Sequence, residues 1–476
     1  MGTFVGIDVG TSGVKGLAID PQGTVLARAE HGYRLSTPHP NWAEQDPDDW
    51  WRATQAALAE LRKTTGAPDA IGLDGQMHSL VALDKAGRPL RPAILWNDQR
   101  TGAEAREIEQ TIGLERLIEL TGNRALPGFT APKLLWLRHH EPDTYAGIAR
   151  IALPKDYVRF KLTGDHATDV SDASGTLLLD VARRRWSEEV ITALDLHADW
   201  LPPVHESPTV TGHTADGIPV AAGAGDQAAG ALGVGVDKPG PLSVVLGTSG
   251  VVFAALDHFA ADPQGRVQAF CHAVPERWHV MGVMLSAAES LRWLRSVLAP
   301  SIPYDELDER AKRWPAGSEG LTFLPYLTGE RTPHIDPEAR SAFAGLSVRH
   351  DLGALVRAVL EGVAFGLRDC LDLVAALRVS PRVGRASGGG ARSDLWVRIV
   401  ASALELPLER VAVDEGAAFG AAVLAGVAAG EWPDVPTAVA ATVVARETID
   451  PVPEWVEVYR EQLPRYRALY PALRRR

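Results

Sequence analysis

One five-residue segment occurs twice in this chain, and the two copies lie almost half a chain apart. Residues 10–14 and 247–251 both read Gly-Thr-Ser-Gly-Val, an offset of 237 positions (247 − 10) in a chain of 476 residues. Each copy follows an apolar run that is typical of a β-strand. Because such a turn presents backbone N–H groups and hydroxyls in a small concavity, it suits phosphate oxygens. The repeat predicts a duplicated fold whose halves hold one anionic ligand between them; the alternative is a chance repeat of common residue types.

The size and composition of the chain are those of a soluble globular protein with more than one domain. Hydrophobic residues make up 46% and charged residues 23% of the sequence, and the formal net charge is −12. This acidic balance argues against non-specific binding to nucleic acids and against attraction to anionic membranes. The repeat and the cluster Lys238-Pro239-Gly240 predict a boundary near residue 237, with domains at 1–236 and 237–476.

The cysteine content and the N-terminal sequence favour a cytoplasmic protein. Cys271 and Cys370, the two cysteines of the chain, form neither a disulfide framework nor a zinc-binding pattern. The sequence begins with a strand-like segment rather than a basic and then apolar leader. Met1-Gly2 opens like a myristoylation signal, but Gly6 stands where that signal needs Ser or Thr. We therefore expect no membrane association.

The first turn has a carboxylate beside it. Asp8 ends the preceding strand, where a carboxylate can hold Mg²⁺ through water while the turn holds phosphate, and Lys15 adds a positive charge. The alternative is a plain hairpin in which Asp8 fixes the turn by an Asx hydrogen bond. The spacing Gly-x-x-x-x-Gly-Lys-Ser/Thr is missing, so the turn is not a P-loop.

Two further glycine-rich segments lie between a strand and a helix. Asp226 follows the run Gly223-Ala224-Gly225, close to the predicted domain boundary, where a general base would face the cleft between the halves. Its alternative role is that of a helix N-cap, for which Asp is favoured. Residues 388–390 are three consecutive glycines, a pattern of nucleotide or phosphate sites and equally of tight turns.

A third unusual segment, Gln76-Met77-His78, lies between two predicted strands. Polar or soft side chains are costly there unless they face a ligand or solvent, although a single histidine is more often structural.

Taken together, these motifs resemble those of the FGGY-family carbohydrate kinases, and within that family the xylulokinases most. The resemblance covers essentially the whole chain. Residues 75–78 are its more specific mark, since the Gly-Thr-Ser turns alone indicate only the wider actin-like ATPase superfamily. The segments that carry the resemblance are residues 6–15, 42–47, 75–78, 94–98, 128–133, 153–157, 225–226, 247–251, 329–334 and 387–393.

This resemblance implies an α/β fold of two ribonuclease-H-like domains, of the actin and sugar kinase type, that flank a deep cleft. The N-terminal domain is expected to bind the sugar and the C-terminal domain ATP. Asp226 matches the catalytic base, Met77, His78, Asp226 and Gln227 match sugar contacts, and Asp8 matches the acidic residue near a water-bound Mg²⁺. The residues expected to hold ATP and its phosphates are Gly10, Thr11, Ser12, Gly13, Lys15, Gly247, Thr248, Ser249, Gly388, Gly389 and Gly390.

The reaction implied is the ATP-dependent phosphorylation of D-xylulose to D-xylulose 5-phosphate in pentose catabolism. The partners expected are the sugar and ATP, and the chain either stays a monomer or forms a homodimer. Three residues depart from the family pattern: Gln227 stands in place of Asn, and Asp74 and Ser79 stand where smaller residues are usual. The alternatives are therefore a kinase for another ketose or a polyol, such as ribulose or ribitol, and an ATP-driven chaperone or filament protein.

Overall fold

The first half of the chain is built on a mixed β-sheet. The computed structural model describes residues 2–412 and 416–474. In the sheet of the first half the strand order is β13-β14-β5-β1-β2-β3, and β15 pairs with β5. Strands β1, β2 and β3 form an antiparallel meander, while β5 runs parallel to β1 and β14 parallel to β5. The strands are β1 (Phe4–Val9), β2 (Gly13–Ile19), β3 (Val25–Gly32), β4 (Glu44–Gln45), β5 (Ala70–Gly75), β6 (Val81–Leu83), β7 (Ala93–Ile94), β8 (Arg150–Ala152), β9 (Thr168–Asp169), β10 (Leu179–Asp180), β11 (Arg185–Trp186), β12 (Val204–His205), β13 (Val210–His213), β14 (Pro219–Ala221) and β15 (Ala224–Gly225).

The second half repeats this arrangement. Its main sheet has the order β18-β19-β17-β16-β22-β23-β24. Strands β16, β17 and β19 are antiparallel neighbours, while β22 is parallel to β16 and β23 parallel to β22. The strands are β16 (Pro241–Leu246), β17 (Gly250–Leu256), β18 (Gln268–Cys271), β19 (Trp278–Met284), β20 (Thr322–Leu324), β21 (Ala342–Ala344), β22 (Val383–Ser387), β23 (Leu408–Val411) and β24 (Ala445–Ile449).

Each Gly-Thr-Ser turn therefore joins the first and second strands of its own sheet. The expected fold, two α/β domains of the ribonuclease-H-like type, is confirmed. The helices are α1 (Pro47–Thr65), α2 (Gly102–Ile112), α3 (Leu114–Thr121), α4 (Thr130–His140), α5 (Pro142–Ala146), α6 (Pro154–Thr163), α7 (Val170–Ser174), α8 (Glu188–Ala193), α9 (Asp226–Gly233), α10 (Ala288–Leu298), α11 (Tyr304–Lys312), α12 (Leu352–Ala376), α13 (Asp394–Leu404), α14 (Gly416–Ala428), α15 (Val435–Thr442) and α16 (Pro453–Leu473). Within the described ranges no helix is both long and apolar enough to cross a membrane.

Helix α14 belongs to the second half in sequence but packs on the sheet of the first half. A Cβ atom placed on Gly6 of β1 would lie 1.9 Å from the carbonyl oxygen of Ala418, and one on Gly72 of β5 would lie 2.0 Å from that of Ala421. Glycine at both strand positions thus allows the helix backbone to rest directly on the sheet.

Helices α9 and α14 cross at an equally short distance. A Cβ atom on Gly420 would lie 1.9 Å from the carbonyl oxygen of Ala229, and one on Gly233 would lie 2.3 Å from that of Gly416. Since α9 begins at Asp226, this contact between the halves also fixes the position of that carboxylate.

The outer edge of strand β18 is covered by the first half of the chain. The Asn123 side chain donates from Nδ2 to the carbonyl oxygen of Ala269 at 2.8 Å and accepts from the Ala269 N–H at 3.3 Å. A side-chain amide therefore takes the place that a neighbouring strand would occupy.

Candidate active site

The first Gly-Thr-Ser turn is held in shape by side chains around it. The Gly10 N–H donates to the Gly13 carbonyl oxygen at 3.1 Å, which closes the turn. Gln45 donates from Nε2 to the Thr11 carbonyl oxygen at 2.7 Å, and Trp96 from Nε1 to the Thr11 hydroxyl at 2.9 Å. The side chain of Ser12 is exposed. This turn is a rigid and open concavity at the end of β1.

Three carboxyl groups lie together beside this turn. Asp8 of β1 pairs with Asp74 of β5 in parallel register. On the other side of β5, Ala224 of β15 pairs with Asp74, and Asp226 comes two residues after Ala224. Both oxygens of Asp74 and Oδ1 of Asp8 are buried and lack a hydrogen-bond donor among the described residues. Asp226 is only half-buried and faces solvent.

Burial raises the pKa of all three groups, and the charges of neighbouring carboxylates add to the shift in Asp74 and Asp226. Burial raises the pKa of Asp8 to about 6, although the Asp74 carboxyl and Lys15 oppose this shift. Burial and the charge of Asp8 raise the pKa of Asp226 to about 7. Burial and the charges of Asp8 and Asp226 raise the pKa of Asp74 well above its usual range. Asp226 is therefore poised near neutrality, as a general base should be.

The carboxyl cluster fits a divalent cation that arrives with phosphate. Asp8 offers a buried oxygen without a donor, and a cation would stabilise the charged form of a carboxylate whose pKa burial raises. Among the described residues no three His, Cys, Asp or Glu side chains are placed to hold a metal ion by themselves. This donor set suits Mg²⁺, which keeps several waters and uses one or two carboxylates together with substrate phosphates.

Asp226 does not cap its helix. The N-cap residue of α9 is Gly225, and Asp226 is the first residue of the helix itself. The neighbouring Gln227 is half-buried, and its backbone and side-chain N–H groups lower the pKa of Asp226 in opposition to burial. The carboxylate is thus free to face a ligand.

His78 follows Met77 and has a defined tautomer. Its Nδ1 lies 2.7 Å from the Gly175 carbonyl oxygen, so Nδ1 carries the proton and Nε2 carries the lone pair. Burial lowers the pKa of His78 to about 3, which keeps the ring neutral. The ring packs against Phe129 and, from the second half of the chain, Phe270, with centroids 4.6 and 5.9 Å away.

Met77 fills the space between His78 and the start of α9. A Cβ atom on Gly225 would lie 2.9 Å from Met77 Sδ, and one on Gly175 would lie 3.1 Å from Met77 Cε. Met77, His78 and Asp226, which the sequence resemblance grouped, are therefore brought together by the fold. Gln76 points elsewhere and braces the turn, since its Oε1 accepts from the Thr11 hydroxyl at 3.3 Å.

Two residues of segment 128–133, for which the sequence predicts no particular role, hold His78 in place. His78 has a left-handed backbone conformation, with φ of 69°, which costs energy for a residue other than glycine. Its carbonyl oxygen accepts from the buried Lys133 Nζ at 2.8 Å and from the Thr130 hydroxyl at 2.9 Å. No local sequence signal assigns these roles, because the residues are 52 and 55 positions apart from His78.

The second turn and the three glycines are in direct contact. A Cβ atom on Gly388 would lie 3.0 Å from the Gly247 backbone nitrogen, and the φ of Gly388 is 84°, so glycine is required there. The start of α10 also contacts this turn, because the Ala288 N–H donates to the Gly247 carbonyl oxygen at 2.8 Å. Ser249 is half-buried in the same turn.

A cavity of about 630 Å³ opens beside this contact. Thr248, Gly389 and Gly390 line it, together with side chains from α10, α11 and α13. Its volume lies in the range of pockets that bind cofactors and drug-sized ligands.

The raised pKa of Asp226 predicts a pH-dependent effect on stability. A carboxyl group whose folded pKa is above its ordinary value stabilises the fold at low pH, and this contribution is lost as pH rises towards the folded value. We expect Asp226→Asn to raise the melting temperature by roughly 2 °C at pH 8 and by less at pH 5. Thermal unfolding without metal or nucleotide measures this, and an equal effect at both pH values would contradict it.

Known proteins similar to this chain cover nearly all of it. Two models of the FGGY family of carbohydrate kinases match, the N-terminal domain at residues 3–233 and the C-terminal domain at residues 242–429. The xylulose kinase of Escherichia coli (strain K12) is 45% identical over 439 residues, 90% of each chain. The crystal structure of a xyloylose kinase from Brucella ovis has a TM-score of 0.93 at 42% identity over 99% of each chain. A gluconate kinase from Lactobacillus acidophilus has a TM-score of 0.94 at 27% identity, over 99% of this chain and 98% of its own.

Proposed function

This chain belongs to the FGGY family of carbohydrate kinases and phosphorylates a sugar, and we propose that its sugar is D-xylulose, which it converts with ATP to D-xylulose 5-phosphate in pentose catabolism. Support comes from relatives named xylulose kinase that are 45%, 43% and 37% identical to this chain. The observation that carries the proposal is the group formed by Met77, His78 and Asp226 beside the first phosphate-type turn.

We assign the two substrates to different halves. Residues 1–236 bind the sugar through Met77, His78, Asp226 and Gln227. Residues 237–476 bind ATP in the 630 Å³ cavity, where Gly388–390 and the second turn contact each other. Mg²⁺ beside Asp8 would neutralise part of the phosphate charge. ATP as co-substrate fits a cytoplasmic enzyme.

Asp226 is the proposed catalytic base. Phosphoryl transfer passes through a loose transition state, so the protein has mainly to position the reactants and offset charge. With a pKa of about 7, the Asp226 carboxylate can orient the terminal hydroxyl of the sugar and accept its proton as the phosphoryl group arrives. The turns at residues 10–13 and 247–250 present N–H groups to the phosphate oxygens.

His78 orients the sugar as a hydrogen-bond acceptor. Because Nδ1 donates to Gly175 and the ring stays neutral, Nε2 can accept a hydrogen bond from a sugar hydroxyl. The rings of Phe129 and Phe270 fix the plane of the imidazole.

We expect His78→Ala to raise the KM for D-xylulose about tenfold and to change kcat by less than about threefold. The reason is that one hydrogen bond to the bound sugar is lost, a net effect of about 1.4 kcal/mol, while Asp226 stays in place. Steady-state kinetics with saturating ATP give both constants. An unchanged dependence on sugar concentration would remove His78 from the sugar site.

The substrate itself is tested by a coupled ADP-release assay across pentuloses, hexuloses, pentitols, glycerol and gluconate. Gluconate belongs in this panel because a gluconate kinase shares the fold at 27% identity, and ribulose and ribitol because Gln227 and Asp74 depart from the family pattern. We expect the highest kcat/KM with D-xylulose. A higher kcat/KM with another substrate would overturn D-xylulose as the assigned sugar, but the chain would still be a sugar kinase.

A further inference from the structure

Helix α7 and the glycine after it contact both sides of the proposed sugar site. At the start of the helix the Ser171 hydroxyl oxygen accepts the Gly225 N–H at 3.0 Å, directly before Asp226. Just past its end the Gly175 carbonyl oxygen accepts from His78 Nδ1 at 2.7 Å. All five residues of α7 are buried. One short rigid segment thus holds the base and the imidazole at a fixed separation.

The Ser171 hydroxyl is itself held by a buried ion pair. It donates to Oδ1 of Asp169 at 2.5 Å, and that oxygen also accepts the Ser171 N–H at 2.8 Å. The other Asp169 oxygen lies 2.8 Å from Lys155 Nζ. Because its hydrogen is committed to Asp169, the hydroxyl can offer only a lone pair to Gly225. The direction of this contact is therefore fixed.

The far end of α7 contacts the second half of the chain. The Ser174 hydroxyl oxygen accepts the Cys271 N–H of strand β18 at 3.0 Å. The helix is therefore fixed from three sides and cannot shift without breaking buried hydrogen bonds, which resists small displacements of Gly225.

We propose that Ser171 is a positioning residue for Asp226: its hydroxyl, oriented by Asp169 and Lys155, fixes the backbone at Gly225 so that the next carboxylate faces the reacting sugar hydroxyl. This inference rests on the proposed function. Without the hydroxyl the Gly225 N–H is buried and unpaired, and the chain at Asp226 can move to find another acceptor. A displacement of about 1 Å at a reacting group costs up to about a hundredfold in rate.

The first test is Ser171→Ala with D-xylulose and saturating ATP. We expect kcat to fall about tenfold or more, and the KM for D-xylulose to change less than about threefold because His78 stays bonded to Gly175. The matched control is Ser207→Ala, which removes a buried hydroxyl that donates to the same Asp169 oxygen at 3.3 Å and makes no side-chain contact with Gly225. We expect the control to keep kcat within about twofold of the wild type.

The second test is a double-mutant cycle with Asp226→Asn. If Ser171 acts through Asp226, then Ser171→Ala lowers kcat no further in the Asp226→Asn background, whereas a merely structural role gives the same fold loss in both backgrounds. Ser171→Cys, which keeps the volume but offers only a weak sulfur acceptor, replaces Ser171→Ala if the alanine variant does not fold.

The outcomes separate this inference from the proposed function. Two results would overturn the role of Ser171 alone. One is a folded Ser171 variant with unchanged kcat, and the other is the same fold loss in kcat from Ser171→Ala in the wild-type and Asp226→Asn backgrounds. A wild-type chain that transfers phosphate to no sugar in the panel would overturn both.

Discussion

Asp226→Asn should lower kcat for sugar phosphorylation by at least about a hundredfold, the usual effect of losing a general base. The amide keeps the size of the carboxylate but cannot accept the proton of the sugar hydroxyl. Since Asp226 begins α9 in the first half, whereas Thr248, Gly389 and Gly390 line the cavity proposed for ATP, ATP affinity should stay within about threefold.

Initial rates in the coupled assay measure the first effect, and calorimetric titration with a non-hydrolysable ATP analogue measures the second. Asp237→Asn is a matched control, because Asp237 is an aspartate outside the proposed site whose pKa is also raised, chiefly by burial. It lies beyond the opposite end of α9, which at 1.5 Å per residue is about 12 Å away. Near-normal turnover in Asp226→Asn would leave this carboxylate without a catalytic role.

Gly420→Ala should cause the largest loss of stability. The new Cβ would lie 1.9 Å from the Ala229 carbonyl oxygen, a distance that no repacking of side chains can relieve. Helices α9 and α14 would have to separate, at a cost of about 3 kcal/mol or more in the free energy of unfolding. Urea unfolding followed by circular dichroism measures this loss.

Gly230→Ala is the matched control for this variant. Gly230 lies on α9, the other helix of this crossing, but a Cβ atom there has no neighbour within 4 Å. Alanine in a helix interior is favoured over glycine by about 1 kcal/mol, so this variant should unfold at an equal or higher urea concentration. Equal stability of the two variants would show that the crossing of α9 and α14 tolerates a larger separation.

The sequence predicted the duplication but not how the halves join. The repeat at residues 10–14 and 247–251 marks the same turn in both sheets, because a turn with fixed chemistry leaves a local signature. The packing of α14 on the first sheet leaves no such signature. Glycines at positions 6, 72 and 420 are informative only when the elements facing them are known.

The sequence likewise predicts some residues of the candidate site and not others. Asp226 and His78 stand in short motifs, and the structure brings these motifs into contact through Gly225 and Met77. Ser171 and Gly175 carry no comparable signal, since they act on residues 54 and 97 positions away. The sequence shows that Asp74 departs from the family pattern. Its place between Asp8 and Asp226 follows only from the register of β5 with its neighbouring strands.

The covered edge of β18 has a consequence for the integrity of the chain. Asn123 and Ser174 take up the backbone groups of Ala269 and Cys271 that a bare sheet margin would present to other molecules. Such margins recruit foreign strands and seed insoluble assemblies. Separating the two halves would uncover this margin, so the second half depends on the first to remain free of such assemblies.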